Sequence, residues 1–158
     1  MGVTTEQRDR LIEIERTIVV GTETAKAASY VPLGMQSFDT PIFVNRPKAL
    51  RRRRANDTMF ENVRTWAMEL YASPAPTVVT PEETEEWLYD WIDATYAKFD
   101  GIVRLNLSGE SLLEYVINAE LTGDTGIVNR TYSTDAKDVS YYIVVFNLEV
   151  TYWSICNG

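Results

Sequence analysis

The chain has 158 residues, 45% of them hydrophobic and 24% charged, which is enough to bury the core of one domain. Fifteen Lys and Arg against 23 Asp and Glu leave a net charge of −8, which argues against a general nucleic-acid or membrane-surface binder, because those carry a basic footprint, and leaves room for a local basic patch. Histidine is absent and Cys156 is the single cysteine, so neither a Ser-His-Asp arrangement nor a Cys- or His-rich metal site can be assembled.

The first residues lack the apolar core of a signal peptide, and no run approaches the length needed to span a bilayer. The composition reads as cytosolic and reducing. Leu11, Ile14 and Ile18 recur at helical spacing with Ile12 beside them, predicting an amphipathic helix over about 7–17, with Thr4 and Gln7 at capping-box spacing. The stretch 20–41 reads mostly as loop, with a short helical turn possible around Ala25, Ala27 and Ala28. Ile42-Phe43-Val44, between Pro41 and Pro47, reads as a short edge strand.

Residues 48–57 then concentrate Lys48, Arg51, Arg52, Arg53 and Arg54, closing on Asn56-Asp57. This is expected to be a basic loop joining two strands. One reading is a solvated loop; the other is a contact with a polyanion or an acidic protein face. Met59 to Ala72 predicts a long strand, with Trp66, Met68 and Leu70 on one face. Asn62 and Arg64 break the apolar parity, so its start is expected to leave the core, as an arm or as a frayed hairpin end.

After Ser73-Pro-Ala-Pro76, the run Thr80-Pro81-Glu82-Glu83 has the signature of a helix start, and Glu82, Glu83, Glu85 and Glu86 suit the positive end of the helix dipole. Trp87, Leu88, Trp91, Ile92, Thr95 and Phe99 form one stripe, and Gly101 ends the helix. A short strand is possible over 102–107. A strand over 111–121 with Leu113, Tyr115, Ile117, Ala119 and Leu121 on one face, a turn at 123–126, and a strand over 127–132 lead to the last element. That element, Ser140 to Trp153, alternates Tyr142, Val144, Phe146, Leu148, Val150 and Tyr152 on one face, with neither Gly nor Pro inside. It is expected to be the central strand of an antiparallel meander, followed by a short tail over 154–158.

The element order predicts a single α+β domain over 1–158, an antiparallel sheet with two main helices packed on one face. Two helices cover one face only. The other face of the central strand carries Tyr141, Ile143, Val145 and Trp153, an apolar strip expected to be open and to drive homo-oligomer formation, a ring being one closure of a head-to-tail contact. Together with Arg51 to Arg54, those four residues make up the expected interface. No residue pattern points to catalysis, a metal or a cofactor.

The layout resembles the tail-terminator, or tail-completion, proteins of long-tailed bacteriophages. The resemblance rests on the N-terminal helix with Leu11 and Ile14, the strand Pro41-Ile-Phe-Val44, the strand Arg64-Thr-Trp-Ala-Met-Glu-Leu-Tyr71, the helix Thr80 to Phe99 and the closing strand Tyr142 to Val150. It implies a structural virion protein forming a hexameric ring that caps the tail tube and joins it to the head-side connector protein, with DNA passing through the lumen. The arginine cluster would then face an acidic neighbouring ring or DNA phosphates. A tail-tube or head–tail adaptor subunit of the same machine, and a dimeric α+β barrel holding a small ligand near Trp66, Trp87 and Trp91, are the other readings open at this point.

Overall fold

The protein is described here by a computed structural model covering residues 2–29, 41–72, 81–102, 105, 115–133 and 138–155. Helix α1 spans Val3–Glu15, β1 Val19–Val20, β2 Glu23–Thr24, β3 Lys26–Ala28, β4 Ile42–Arg54 and β5 Met59–Ala72. Helix α2 spans Pro81–Asp100, and β6 Val116–Asp124, β7 Val128–Ser133 and β8 Asp138–Ile155 follow. The α+β class is as expected. Strands β1 and β2 form a small hairpin turning at Gly21, whose positive φ of 62° is one that glycine adopts without a Cβ clash.

The main sheet runs β3-β4-β5-β8-β6, and β7 also pairs with β8. All of its pairings are antiparallel except β3 with β4, which is parallel, so the alanine-rich stretch is a strand and not a turn of helix. β8 is central as expected. On one side β5 pairs with it from Ala72↔Tyr142 to Met59↔Ile155. On the other side β6 and β7 lie end to end along it, each antiparallel to β8, which corrects the expected meander. The break between them is stitched by Thr125, whose N–H donates to the Val145 carbonyl and whose Oγ1 accepts from the Val145 N–H.

Both helices pack on the same sheet face. Leu11 and Ile14 of α1 and Trp91 and Phe99 of α2 share one core with Phe43, Trp66, Met68, Leu70, Phe146, Leu148 and Val150. Removing that much apolar surface from water supplies the main stabilisation, at about 25 cal/mol per Å². Helix α1 starts earlier than its periodicity suggested, capped at Gly2 with no side-chain cap bond, so the Thr4–Gln7 capping box does not form. Gln7 is buried instead, and its Oε1 accepts the indole N–H of Trp66 at 3.0 Å. Buried indole N–H groups usually find such an acceptor; that of Trp91, in the same core, has none among the described residues.

In β6 the expected parity fails. Register shifts fall between Val116 and Asn118 and between Leu121 and Gly123, and each changes the face on which the following residues lie. Val116 and Ala119 are therefore buried while Ile117 is exposed. The start of the strand expected there (111–114), Thr80, the 73–76 connector, Cys156 and most of 102–107 lie outside the described residues. The expected tail begins later than 154, since Ser154 and Ile155 belong to β8.

The second sheet face differs most from expectation. Ile42, Val44, Tyr71, Tyr141 and Ile143 form a second buried cluster, with Ala28 and Val145 packed against it. Tyr141 is 4% exposed and Ile143 0% within a single chain, so they are not an open interface strip. The rings of Tyr71 and Tyr141 meet edge to face at 6.1 Å. Two arginines unused in the sequence reading, Arg46 and Arg130, converge on the Glu69 carboxylate on this same face. The apolar strip is short, and long amphipathic side chains can roof it over. Val145 and Trp153, the other two residues of the expected strip, are half-buried.

Candidate interaction surface

The basic segment is not a loop. β4 runs through it to Arg54, and the turn to β5 occupies only 55–58. The turn is held by Asn56, whose Oδ1 accepts from the Thr58 N–H at 2.9 Å and from the Thr58 hydroxyl at 2.9 Å, while the Ala55 N–H donates to the Met59 carbonyl. This Asx turn is what Asn at that position does well. Sequence reading missed the strand because an arginine run after a proline has the composition of a loop.

A bulge organises the segment. Pro47 pairs with Trp66 and Leu50 with Arg64, so β4 takes three steps where β5 takes two. The extra residue inverts the parity of everything after it. Phe43, Asn45 and Pro47 share the helix-side face, and past the bulge Leu50, Arg52 and Arg54 take over that side. Arg51 and Arg53 fall on the opposite face. Arg64 Nη1 donates to the Lys48 carbonyl at 3.0 Å, giving a bulge carbonyl a partner that the ladder lacks.

Past the bulge, β4 and the first half of β5 run beside the end of β8 as an arm. The Glu149–Tyr152 stretch of β8 also pairs with β6, so the arm is three-stranded only at its tip, beyond Tyr152. Its β5 portion is paired on both sides, so it is not a frayed hairpin. Asn62, expected to lie outside the core, is 2% exposed, and its Nδ2 donates to Ser154 Oγ at 2.8 Å and to the Tyr152 carbonyl at 3.3 Å. β3 pairs with Ile42 to Val44, and among the described residues no strand pairs with the outer side of the rest of β4, whose side chains from Arg46 on lie among the exposed residues. Charge, proline and a bulge are the usual means of stopping such an edge from pairing indiscriminately, and this edge has all three.

The four arginines are exposed and differently engaged. On one face Arg51 lies 3.7 Å from Glu149 and Arg53 lies 3.3 Å from Glu61, with the two arginine side chains 73% and 75% exposed. Exposed pairs of this kind contribute little. On the helix-side face the guanidiniums of Arg52 and Arg54 both stack over the Phe60 ring, at 4.0 and 4.9 Å from its centre. Arg52 Nε also donates to Asn62 Oδ1, and among the described residues no carboxylate lies within ion-pairing distance of it. Between residues 48 and 64 the chain carries six cations and two carboxylates, in a molecule of net charge −8. The arm therefore presents a cation-rich, aromatic-backed surface suited to carboxylates or phosphates.

Of the eight residues expected at the interface, the structure leaves Arg51, Arg52, Arg53 and Arg54 together on the arm, with the half-buried Trp153 on the adjoining strand of that arm. It places Tyr141, Ile143 and Val145 at the other end of β8, against the second cluster. Trp66 and Trp91 are fully buried in the core, and Trp87 meets Trp91 edge to face at 6.1 Å. All three pack in the helix-side core, Trp87 partly buried at its margin.

Among the described residues, two carboxylates are buried. Glu69 accepts from Arg46 Nε and, at 3.0 Å, from Arg130 Nη1, and the Tyr71 hydroxyl donates to it at 3.1 Å. Burial would raise its pKa, but the hydrogen bonds from the two guanidiniums outweigh that and hold it below the ordinary carboxylate range. Glu15, fully buried at the end of α1, accepts from Asn45 Nδ2 at 2.6 Å, and burial pushes its pKa well above the ordinary range despite that bond and the nearby charge of Arg16. The partners of neither were legible from local sequence, because they lie 30 residues away for Glu15 and 61 away for the Glu69–Arg130 contact.

A scan against protein-family models and a search of curated proteins both find no match for this chain.

Proposed function

We propose that the chain is a structural subunit of a phage tail, a tail terminator whose ring caps the tail tube and joins it to the head-side connector, with DNA passing through the lumen. The observation that carries this reading is the arm. A sheet that continues past its helix-covered core, with an exposed edge studded by four arginines, has the form of an assembly element. The α+β layout with both helices on one face agrees with the family that the sequence resembles. A net charge of −8 suits a conduit that lets DNA pass without gripping it.

The test is a tube-growth assay. Purified protein added in molar excess to polymerising tail-tube subunits is expected to arrest growth, leaving short tubes that carry one ring at an end under negative-stain electron microscopy. Unchanged tube lengths would contradict the reading. Stacking of the protein into long tubes by itself would reassign it as a tube subunit.

A further inference from the structure

We infer that the arm docks on helix α2 of a second copy of this chain, the Arg52–Phe60–Arg54 stack seating on the outer face of α2 around Tyr89. The inference rests on the ring reading above and names the two surfaces that would meet in it.

Charge complementarity within one sequence is the first support. Helix α2 carries seven carboxylates and one lysine, Lys98, against the six cations and two carboxylates of residues 48–64. With Leu88, Trp91, Thr95 and Phe99 turned into the core, Glu86, Tyr89, Asp90 and Asp93 are left exposed on the opposite side of the helix. Among the described residues, no cation lies within ion-pairing distance of Glu86, Asp90 or Asp93, and none of their carboxylates pairs with the arm of the same chain. Two complementary surfaces that do not satisfy each other within a chain can do so between chains.

The second support is chemical fit. Tyr89 is a large aromatic, 51% exposed, bordered by carboxylates. Arginine pairs bidentately with a carboxylate and stacks on an aromatic face, and Tyr and Arg are the residues over-represented where interfaces are strongest. The Phe60 ring already has two guanidiniums over it, so it is not a platform for a nucleic-acid base, and Arg51 and Arg53 have carboxylates of their own chain beside them. A protein face is favoured over a nucleic acid on both counts. Because arm and helix are different surfaces, the contact is head-to-tail, and such contacts close into rings when the rotation permits.

Charge reversal tests this on the full-length chain, with light-scattering mass measured against concentration at physiological salt. Arg52→Glu with Arg54→Glu creates no like-charge cross-strand pair, since the residues opposite are Asn62 and Phe60. Glu86→Lys with Asp90→Lys changes only exposed helix positions. Each pair of changes is expected to raise the concentration needed for assembly at least about tenfold, and all four together in one chain to bring it back toward wild type. A wild-type ring untouched by either reversal would overturn the inference and leave the ring reading standing. So would additive losses with no rescue. A wild-type chain that is monomeric throughout would overturn both. Duplex DNA retained by the wild type but not by the arm variant, at unchanged oligomer mass, would overturn it in favour of a polyanion. The helix reversal reports independently of how the arm folds.

Discussion

Replacing Glu69 by Gln is expected to lower the stability of the folded chain by about 2 kcal/mol, a fall in Tm of roughly 4–8 °C. Glu69 is the only negative group placed between Arg46 and Arg130 among the described residues that meet there, and its side chain is 6% exposed. Removing the charge of one partner in a buried ion pair takes a carboxylate away from both arginines, a loss of about 3–5 kcal/mol when all are buried. Here the arginine side chains are 44% and 41% exposed and can rehydrate, so the lower figure is expected. Glutamine keeps the shape of the side chain and removes the charge, so the loss measures electrostatics. The pH dependence has a definite sign. Glu69 is held below the ordinary carboxylate range, so its contribution is fully present above that range and is lost as pH falls through the lowered folded value. Chemical denaturation across the acid range should show a steeper loss in wild type than in Glu69→Gln. Equal acid limbs in the two proteins would mean that the cluster contributes no net stability.

Replacing Glu15 by Gln is expected to act in the opposite direction, stabilising the chain by about 1–2 kcal/mol at mildly alkaline pH and by little in acid. In the folded state Glu15 holds its proton to a higher pH than in the unfolded chain, where it titrates normally. The folded form therefore binds more protons over the window between those two values, and stability falls as pH rises through it. Two acceptors show the reason for the proton. Glu15 Oε2 and Asn45 Oδ1 are both buried without a hydrogen-bond partner among the described residues. A neutral carboxyl turns Oε2 into a donor, and the amide of Gln supplies a donor at every pH. Melting curves of both proteins from mildly acidic to mildly alkaline pH decide it: the wild type should lose stability across that range and the Gln variant should not. A Gln variant less stable than wild type at alkaline pH would show that Glu15 is ionised in the fold.

Much of the fold was legible because its elements obey one period each. β5 begins at Met59 and ends at Ala72, where the alternation of Trp66, Met68 and Leu70 put it, because strands flank it on both sides and one face meets the helices. The α2 stripe was legible for the same reason: burial on one side only leaves a clean pattern. β6 was not, since two bulges scramble its parity. β4 was not, since an exposed sheet edge tolerates charge that a central strand does not, and Arg51 to Arg54 therefore looked like loop. The closing of the second face was hidden by distance. A lone acid inside the apolar run Trp66 to Ala72 was the one visible hint that Glu69 had partners, and nothing local said that Arg46 and Arg130 were they. The arginine cluster was the part of the candidate site that sequence identified. The bulge that sorts its members onto two faces required the structure.

Because Tyr141 and Ile143 are buried within a single chain, self-assembly is predicted to be driven from the arm and not from that apolar strip. The direct test is the native mass of the full-length chain over a wide concentration range, beside the same chain with Arg51, Arg52, Arg53 and Arg54 changed to Ser. A wild type of one fixed multiple of the 18.0 kDa subunit, and a folded Ser variant at 18.0 kDa, is the predicted result. A wild type at 18.0 kDa at every concentration, or a Ser variant that assembles as the wild type does, would contradict it.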